Sequence, residues 1–357
     1  MSDLNFSPPA WARAMPADRG FNVTQKYYRA AEGPIDPSRV TLPSPFVVVV
    51  VGGSKGIGAA VAKAYAQAGA SGIVVTSRRL GDLDGVVQEI SDMRAMSTKG
   101  QGQGQGQAPA PAQAHAQGQA HSQAHFQVVP FAVDVTIQAQ VLALRDMVDQ
   151  TFGRLDVLVA NAGVAPALLA DNDNDTVTGT GTGTHFHFPS SVAAEDGADF
   201  ARVLSANLVG SFLVANAFLP LLQRTRDGPQ TIIFSSSASS LDRGSALVPS
   251  SYNISKLAVN RLAEHIHQDH YEADGVVAVA LHPGCIQTPI AELYPAVWKE
   301  ILTDDISLPG GVCVWLTAEK RGWLSGRYFC ANWDVEELLA RKKEIVEKDL
   351  FKMRLLL

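Results

Sequence analysis

The sequence predicts an α/β fold, a doubly wound parallel sheet in a single domain, and two observations carry that prediction. Short apolar, β-branched runs alternate with longer helix-forming stretches along most of the chain, the rhythm of strand, crossover helix and parallel strand. The first run, Phe46-Val47-Val48-Val49-Val50-Val51, is apolar without alternation, as suits a strand buried on both faces, and it opens directly onto a glycine cluster.

The elements follow in order. Residues 1–45 are Pro-rich and irregular, and read as an arm lying on the surface or on a partner. The domain spans 46–332 and opens with the valine strand. A helix from Ala59 to Ala68, rich in Ala, Lys and Gln, closes at Gly69 as a C-terminal cap. Ile73 to Thr76 is the next strand and Leu83 to Met93 the next helix. Residues 97–123 are a Gln/Gly/Ala/His repeat with almost no bulky apolar residue, so burial cannot offset the entropy of ordering them, and a disordered insertion is expected. Strand character returns at 127–133, then a helix from Gln138 to Phe152 and a strand from Val157 to Ala160. A second insertion, 171–197, carries Gly-Thr repeats and reads as a flexible surface excursion. Next come a helix from Phe200 to Leu222, a strand at 231–234, a helix bearing Tyr252 and Lys256, and a strand at 276–281. A helix near Gly311 to Thr317 and a short strand near Tyr328-Phe329 complete the domain. Residues 333–357 read as one amphipathic helix with Leu339, Val346, Leu350 and Met353 on its apolar side, docked on the core or on another subunit. Glu337/Arg341 and Glu344/Lys348 would pair on its wet side.

Bulk properties narrow the function. A chain of 357 residues with 46% hydrophobic content can bury a large core. The net charge of -6 comes from scattered acids, and the absence of a basic block speaks against nucleic acid or an anionic membrane surface. Cys285, Cys313 and Cys330 are dispersed, which fits neither a disulfide framework nor a zinc site. His115, His121, His125, His185 and His187 fall in or beside the insertions and read as solvated, so no metal is expected. Met1 to Arg19 lacks the apolar core of a signal peptide, and no apolar run approaches the roughly 20 residues of a membrane helix. The expectation is a soluble, reduced, cytoplasmic protein.

Two constellations carry chemistry. After the first strand the chain reads Gly52-Gly53-Ser54-Lys55-Gly56-Ile57-Gly58, where glycines at 52, 56 and 58 allow a tight turn and close approach to a pyrophosphate at a helix N-terminus. The second strand ends in Ser77-Arg78-Arg79, with no carboxylate before Asp82. Two guanidiniums and a hydroxyl, with Lys55 as a further cation, suit the 2′-phosphate of NADP rather than the free ribose of NAD. Tyr252 and Lys256 are one helical turn apart, so phenol and ammonium share a face. A fixed ammonium there favours the phenolate and lowers a pKa that is otherwise about 10.

Together these motifs resemble the short-chain dehydrogenase/reductase family, in its small single-domain branch with a Rossmann-type sheet, over about residues 46–332. The family's T-G-x-x-x-G-x-G is matched except that Val51 replaces the threonine, which removes one loop-stabilising hydrogen bond. By resemblance Asp134, followed by Val135, binds the adenine amine, and Asn161-Ala162-Gly163 steadies the sheet edge beside the cofactor. Asn207 would hold a water linking the lysine to solvent, and Pro283-Gly284 to Thr288 would meet the nicotinamide carboxamide through Ile286 backbone and the Thr288 hydroxyl. Alignment of the 232–234 strand places the catalytic serine at Ser237, with Ser236 and Ser239 as alternatives.

The resemblance implies carbonyl reduction, or the reverse oxidation, by hydride transfer from NADPH. Tyr252 would be the general acid, Lys256 its electrostatic tuner and ribose ligand, and Ser237 the partner of the substrate oxygen. The expected pocket walls, the stretch from Leu241 to Val248 with Ile290, Leu293, Tyr294 and Trp298, favour a hydrophobic ketone. The family implies a homo-oligomer, a dimer or tetramer, and the C-terminal run resembles a fungal subgroup active in secondary metabolism. The rival reading is a nucleotide-binding sensor or scaffold without catalysis; an intact Ser/Tyr/Lys/Asn set speaks against it.

Overall fold

The computed structural model describes residues 20–101, 126–170, 186–244, 248–291 and 297–355. Its sheet strands are β1 (Val47–Val51), β2 (Gly72–Ser77), β3 (Gln127–Ala132), β4 (Val157–Ala160), β7 (Thr231–Ser235), β8 (Val277–His282) and β9 (Arg327–Cys330). A two-residue pair, β5 (Leu169–Ala170) and β6 (Phe186–His187), runs antiparallel outside that sheet. The helices are α1 (Gly56–Gln67), α2 (Asp84–Gln101), α3 (Gln138–Phe152), α4 (Gly197–Leu204), α5 (Gly210–Arg224), α6 (Ser250–Asp274), α7 (Val297–Ile301), α8 (Leu308–Ala318), α9 (Val335–Ala340) and α10 (Lys342–Glu347).

Seven strands pair in the order β3-β2-β1-β4-β7-β8-β9, and every pairing is parallel. The chain winds outward from β1 to β3, then returns to β4 and winds the other way. The carboxyl ends of β1 and β4 are therefore the switch point, where adjacent loops diverge and leave a crevice. Pro130 sits in β3, an edge strand, where its missing N–H costs no ladder bond to a further neighbour.

Alternate residues of the buried strands feed two cores. Val48, Val50, Ile73 and Val279 pack with α1 and α8 on one face; Val49, Val74, Leu158 and Ile232 pack with α3, α5 and α6 on the other. The expected run 200–222 is interrupted by a π-helical turn, Ser205–Val209, between α4 and α5. The whole of Gly197–Arg224 is long and apolar enough by composition to cross a membrane, which corrects the expectation that no stretch qualifies. Here its Val214, Phe218, Leu221 and Leu222 are buried against the sheet.

Three further differences concern the ends and insertions. Helix α2 continues to Gln101, into the stretch read as disordered; 102–125 and 171–185 lie outside the described residues. Residues 20–45 pack on this chain's own core: Tyr27, Tyr28 and Ile35 are buried, and Trp333 Nε1 donates to Gly20 O at 2.6 Å. The C-terminal segment is two short helices, not one, broken at Arg341. It buries Val335, Leu338 and Ile345, whereas Leu339 and Val346 are exposed. Glu344 pairs with Lys348 as expected, but Glu337 accepts from the Gln25 and Lys26 amides and Arg341 turns to Glu344.

Candidate active site

The β1–α1 turn is shaped by glycine where no other residue fits. Gly52 and Gly56 have φ of 79° and 56°, and a Cβ on Gly58 would stand 2.1 Å from the Gly52 carbonyl oxygen. Val51 cannot supply the loop hydrogen bond that the family's threonine gives. Thr76, on the neighbouring strand, accepts from Gly52 N through its hydroxyl (3.2 Å) and from Gly53 N through its carbonyl (2.8 Å). Asn161 Nδ2 donates to Gly52 O (2.9 Å), and Ser235 Oγ donates to Asn161 Oδ1 (2.9 Å). Four strand ends, those of β1, β2, β4 and β7, are thereby locked to one another across the switch point.

At the far end of the crevice, Arg79 grips Asp82 through two hydrogen bonds of 3.0 and 3.1 Å, and Ser77 Oγ donates to the same carboxylate at 3.3 Å. These contacts hold the Asp82 carboxyl below its usual range, the Arg79 hydrogen bond foremost. Arg78 is exposed and stands near enough to Asp134 to favour its charged form. The larger influence on Asp134 is local: Thr136 donates to it through its hydroxyl (2.6 Å) and its amide (2.9 Å).

Helix α6 brings the reactive groups to the strand ends. The Tyr252 phenol stands close enough to Ser237 for that hydroxyl to favour its ionised form, and Ser237 Oγ accepts from Ser239 N at 3.2 Å. Ser236 is committed elsewhere, donating to Asn260 Oδ1 at 2.5 Å, so Ser237 is the one of the three serines brought to the phenol. Lys256 is 5% exposed, donates to Ser235 O at 2.7 Å and lies 5.6 Å from the centre of the Tyr252 ring. Burial depresses its pKa to about 8. Burial also raises the Tyr252 pKa, the Ser237 hydroxyl opposing it. That direction differs from the sequence expectation, because the phenol's own loss of solvent dominates and the ammonium points to a carbonyl. Asn207 sits in the π turn, fully buried; it accepts from Val164 N (2.8 Å) and donates to Val164 O (3.1 Å) and Ser255 Oγ (3.2 Å).

Two cavities meet at this point. A groove of about 930 Å³ follows the strand ends from Ser77, Arg78, Arg79 and Asp134 to Tyr252, Lys256 and Thr288. It takes in Gly52, Ser54, Lys55, Gly56, Ile57, Val135, Asn161, Ala162, Gly163 and Pro283, while Gly58 packs beneath the turn. Gly284 and Ile286 line instead a smaller cavity of about 200 Å³, together with Ser237, Ser239 and Tyr252. Trp298 and Val248 are in its wall as expected; 245–247 and 292–296 lie outside the described residues, as does the Ile290 side chain. Phe21, Phe188, His282, Ile301 and Leu302 also form this wall, and nothing in local sequence announces them. The set suits a dinucleotide: a glycine turn at a helix N-terminus, polar groups at strand ends, cations at one extremity and a lysine at the other. Among the described residues no cluster of ligands could hold a metal, and the three cysteines are unpaired.

Comparison with known proteins decides the family. The family model described as "short chain dehydrogenase" matches residues 46–101 and 105–296. This chain is a member of the short-chain dehydrogenase family. It is 36% identical over 356 residues to the short chain dehydrogenase pgmD of Aspergillus terreus, covering 99% of this chain and 97% of that one. It is 34% identical over 311 residues to the short chain dehydrogenase mpl6 of Monascus purpureus, covering 87% of this chain and 88% of its relative. A short-chain type dehydrogenase/reductase from Mycobacterium marinum shares the fold, with a TM-score of 0.60 at 21% identity over 84% of this chain and 97% of its own. The 3-ketoacyl-(acyl-carrier-protein) reductase of Brucella melitensis, solved with NADH, gives a TM-score of 0.58 at 18% identity, covering 80% and 96%. The short-chain dehydrogenase described here is accordingly an oxidoreductase of a family that works with nicotinamide cofactors.

Proposed function

We propose that this dehydrogenase reduces a ketone or aldehyde with NADPH, or oxidises the corresponding alcohol, using Tyr252 as general acid/base. The observation that carries the reading is that Tyr252 walls both cavities, with Ile57, Ser236, Pro283 and Thr288 as shared neighbours. A group held in the groove and a substrate in the smaller cavity would therefore meet at its hydroxyl. When bound in the groove, the nicotinamide cofactor supplies the hydride.

The protein's own groups do the rest. Gly52 to Gly58 would hold the pyrophosphate, Arg78 and Ser77 with Lys55 the 2′-phosphate, and Asp134 the adenine. Lys256 would bind ribose hydroxyls, and Thr288 and the Ile286 backbone the carboxamide. Ser237 donates a hydrogen bond to the substrate oxygen, where negative charge grows, and Tyr252 delivers its proton there. Lys256 and Asn207 would serve the path by which that proton is replaced.

The lining of the smaller cavity, with Phe21, Phe188, Val248 and Trp298, favours an apolar, ring-bearing substrate. The fungal relatives support a role in secondary metabolism. A homo-oligomeric, cytoplasmic enzyme is part of the same reading. The test is an NADPH-consumption screen over a panel of alkyl and aryl ketones, with Tyr252→Phe as the control. Turnover of the accepted ketones should fall by about 10²- to 10⁴-fold while NADPH still binds; wild-type turnover in that variant sinks the assignment.

A further inference from the structure

His282 ends β8 and lines the smaller cavity, yet the proposed chemistry leaves it without a task. Its residue is 4% exposed, and neither ring nitrogen has a hydrogen-bond partner among the described residues. Buried polar groups are nearly always paired, because an unpaired one gives up water without compensation. On the adjoining strand end Ser236 donates to Asn260, and Asn260 donates to Ser240, so that network closes on itself without the imidazole. Phe21, brought in by the N-terminal segment, stands edge-on to the His282 ring with centroids 5.9 Å apart. Burial keeps the imidazole neutral, with a pKa of about 3, so it offers one N–H donor and one acceptor at physiological pH.

We propose that His282 is the specificity anchor of this cavity, hydrogen-bonding a second oxygen of the substrate as that substrate displaces the edge of Phe21. The inference rests on the carbonyl-reductase reading and names its substrate class: an apolar, ring-bearing ketone or aldehyde that carries a further hydroxyl or carbonyl. Tyr252 and Ser237 take the reacting oxygen; Phe188, Val248, Trp298, Ile301 and Leu302 discriminate only by shape, while Ser239 and Asp242 stand elsewhere in the wall. Apolar walls separate similar ligands weakly, whereas a buried polar group left unpaired penalises every ligand that cannot satisfy it.

The test uses the full-length enzyme with NADPH, α-tetralone and its ring-hydroxylated analogues, and compares wild type with His282→Leu and His282→Gln. Wild type should prefer at least one hydroxylated ketone. The leucine variant should lose that preference by roughly ten- to a hundredfold in the ratio of kcat/KM values, and the glutamine variant should keep part of it. An unaltered ratio in the leucine variant overturns the proposal. Equilibrium binding of the same ketones to Tyr252→Phe enzyme loaded with NADP⁺ reads recognition apart from turnover and decides the matter if the leucine variant does not fold. Tighter binding of the hydroxylated ketone supports the anchor even where no ketone is reduced, a result that counts against the reductase reading alone. Equal binding of hydroxylated and bare ketones overturns the anchor.

Discussion

Two cations serve the two ends of the groove by different physics. Lys256 is buried, so its charge acts undamped but is costly to keep, and its pKa falls to about 8. Arg78 is exposed, where solvent screening weakens its pull on a partner. Its neighbour Arg79 looks equivalent in sequence and is not: Asp82 already holds that fork with two bonds. The 2′-phosphate should therefore depend on Arg78 far more than on Arg79. Replacing Arg78 by alanine should weaken NADPH by roughly ten- to a hundredfold, the worth of a charge-assisted hydrogen bond, and leave NADH nearly untouched. Cofactor fluorescence titration of both nucleotides measures this. Equal losses for NADPH and NADH would show that Arg78 does not read the phosphate.

At the level of elements, helix α6 must present Tyr252 from its first turn, where backbone amides lack helical partners. Its own N-cap, Pro249, has no side chain to help. Glu195 fills that role from some 55 residues away, accepting from Ser251 N at 3.0 Å and from the Ser250 hydroxyl. A carboxylate there also complements the positive end of the helix. Glu195→Ala should cost about 1 kcal/mol of stability and lower kcat several-fold with a smaller change in KM, because the phenol is left less firmly placed. Glu195→Gln, which keeps an acceptor, should recover most of kcat. A glutamine variant as slow as the alanine one would assign the effect to charge rather than to placement. This clamp could not be read from sequence, and the reason is general to the site. The glycine turn, Tyr252 with Lys256, and Asn161 are legible because one stretch of chain supplies both the residue and its structural frame. Glu195 lies at the foot of an insertion whose composition reads as surface. Thr76, which replaces the hydroxyl missing at Val51, reads as one more strand residue. The break at Arg341 was hidden for another reason: apolar positions spaced for one helix surface served two, and the buried ones are Leu338 and Ile345.

For the molecule as a whole, two segments far apart in the chain, 20–45 and 304–341, close the site between them. Tyr28 and Asn332 exchange backbone and side-chain hydrogen bonds (2.8 and 2.9 Å), and Arg341 donates to Val23 O at 2.9 Å. Arg29 pairs with Asp304 at 3.2 Å, and Asp304 in turn accepts from Cys285 N at 2.7 Å in the Pro-Gly loop. Phe21 is thereby seated against His282, and the imidazole is sealed in the interior. That seal has a consequence for stability. An unfolded chain protonates this histidine near pH 6.5, whereas the folded protein resists until about pH 3. Between those values the unfolded state binds more protons, so stability falls as pH falls, by up to about 1.4 kcal/mol per pH unit from this group. The buried Asp156 and Asp304, whose pKa values are raised by burial, act in the opposite sense above the carboxylate range and partly mask the slope. Comparing wild type with His282→Leu removes that masking, since both proteins carry the aspartates. Thermal unfolding from pH 7 to pH 5 should show wild type losing stability faster than the leucine variant, which also sheds an unpaired polar group and should melt no lower at pH 7. Parallel curves would mean that His282 gains a proton in the folded state as readily as in the unfolded one, and that Phe21 does not keep solvent out.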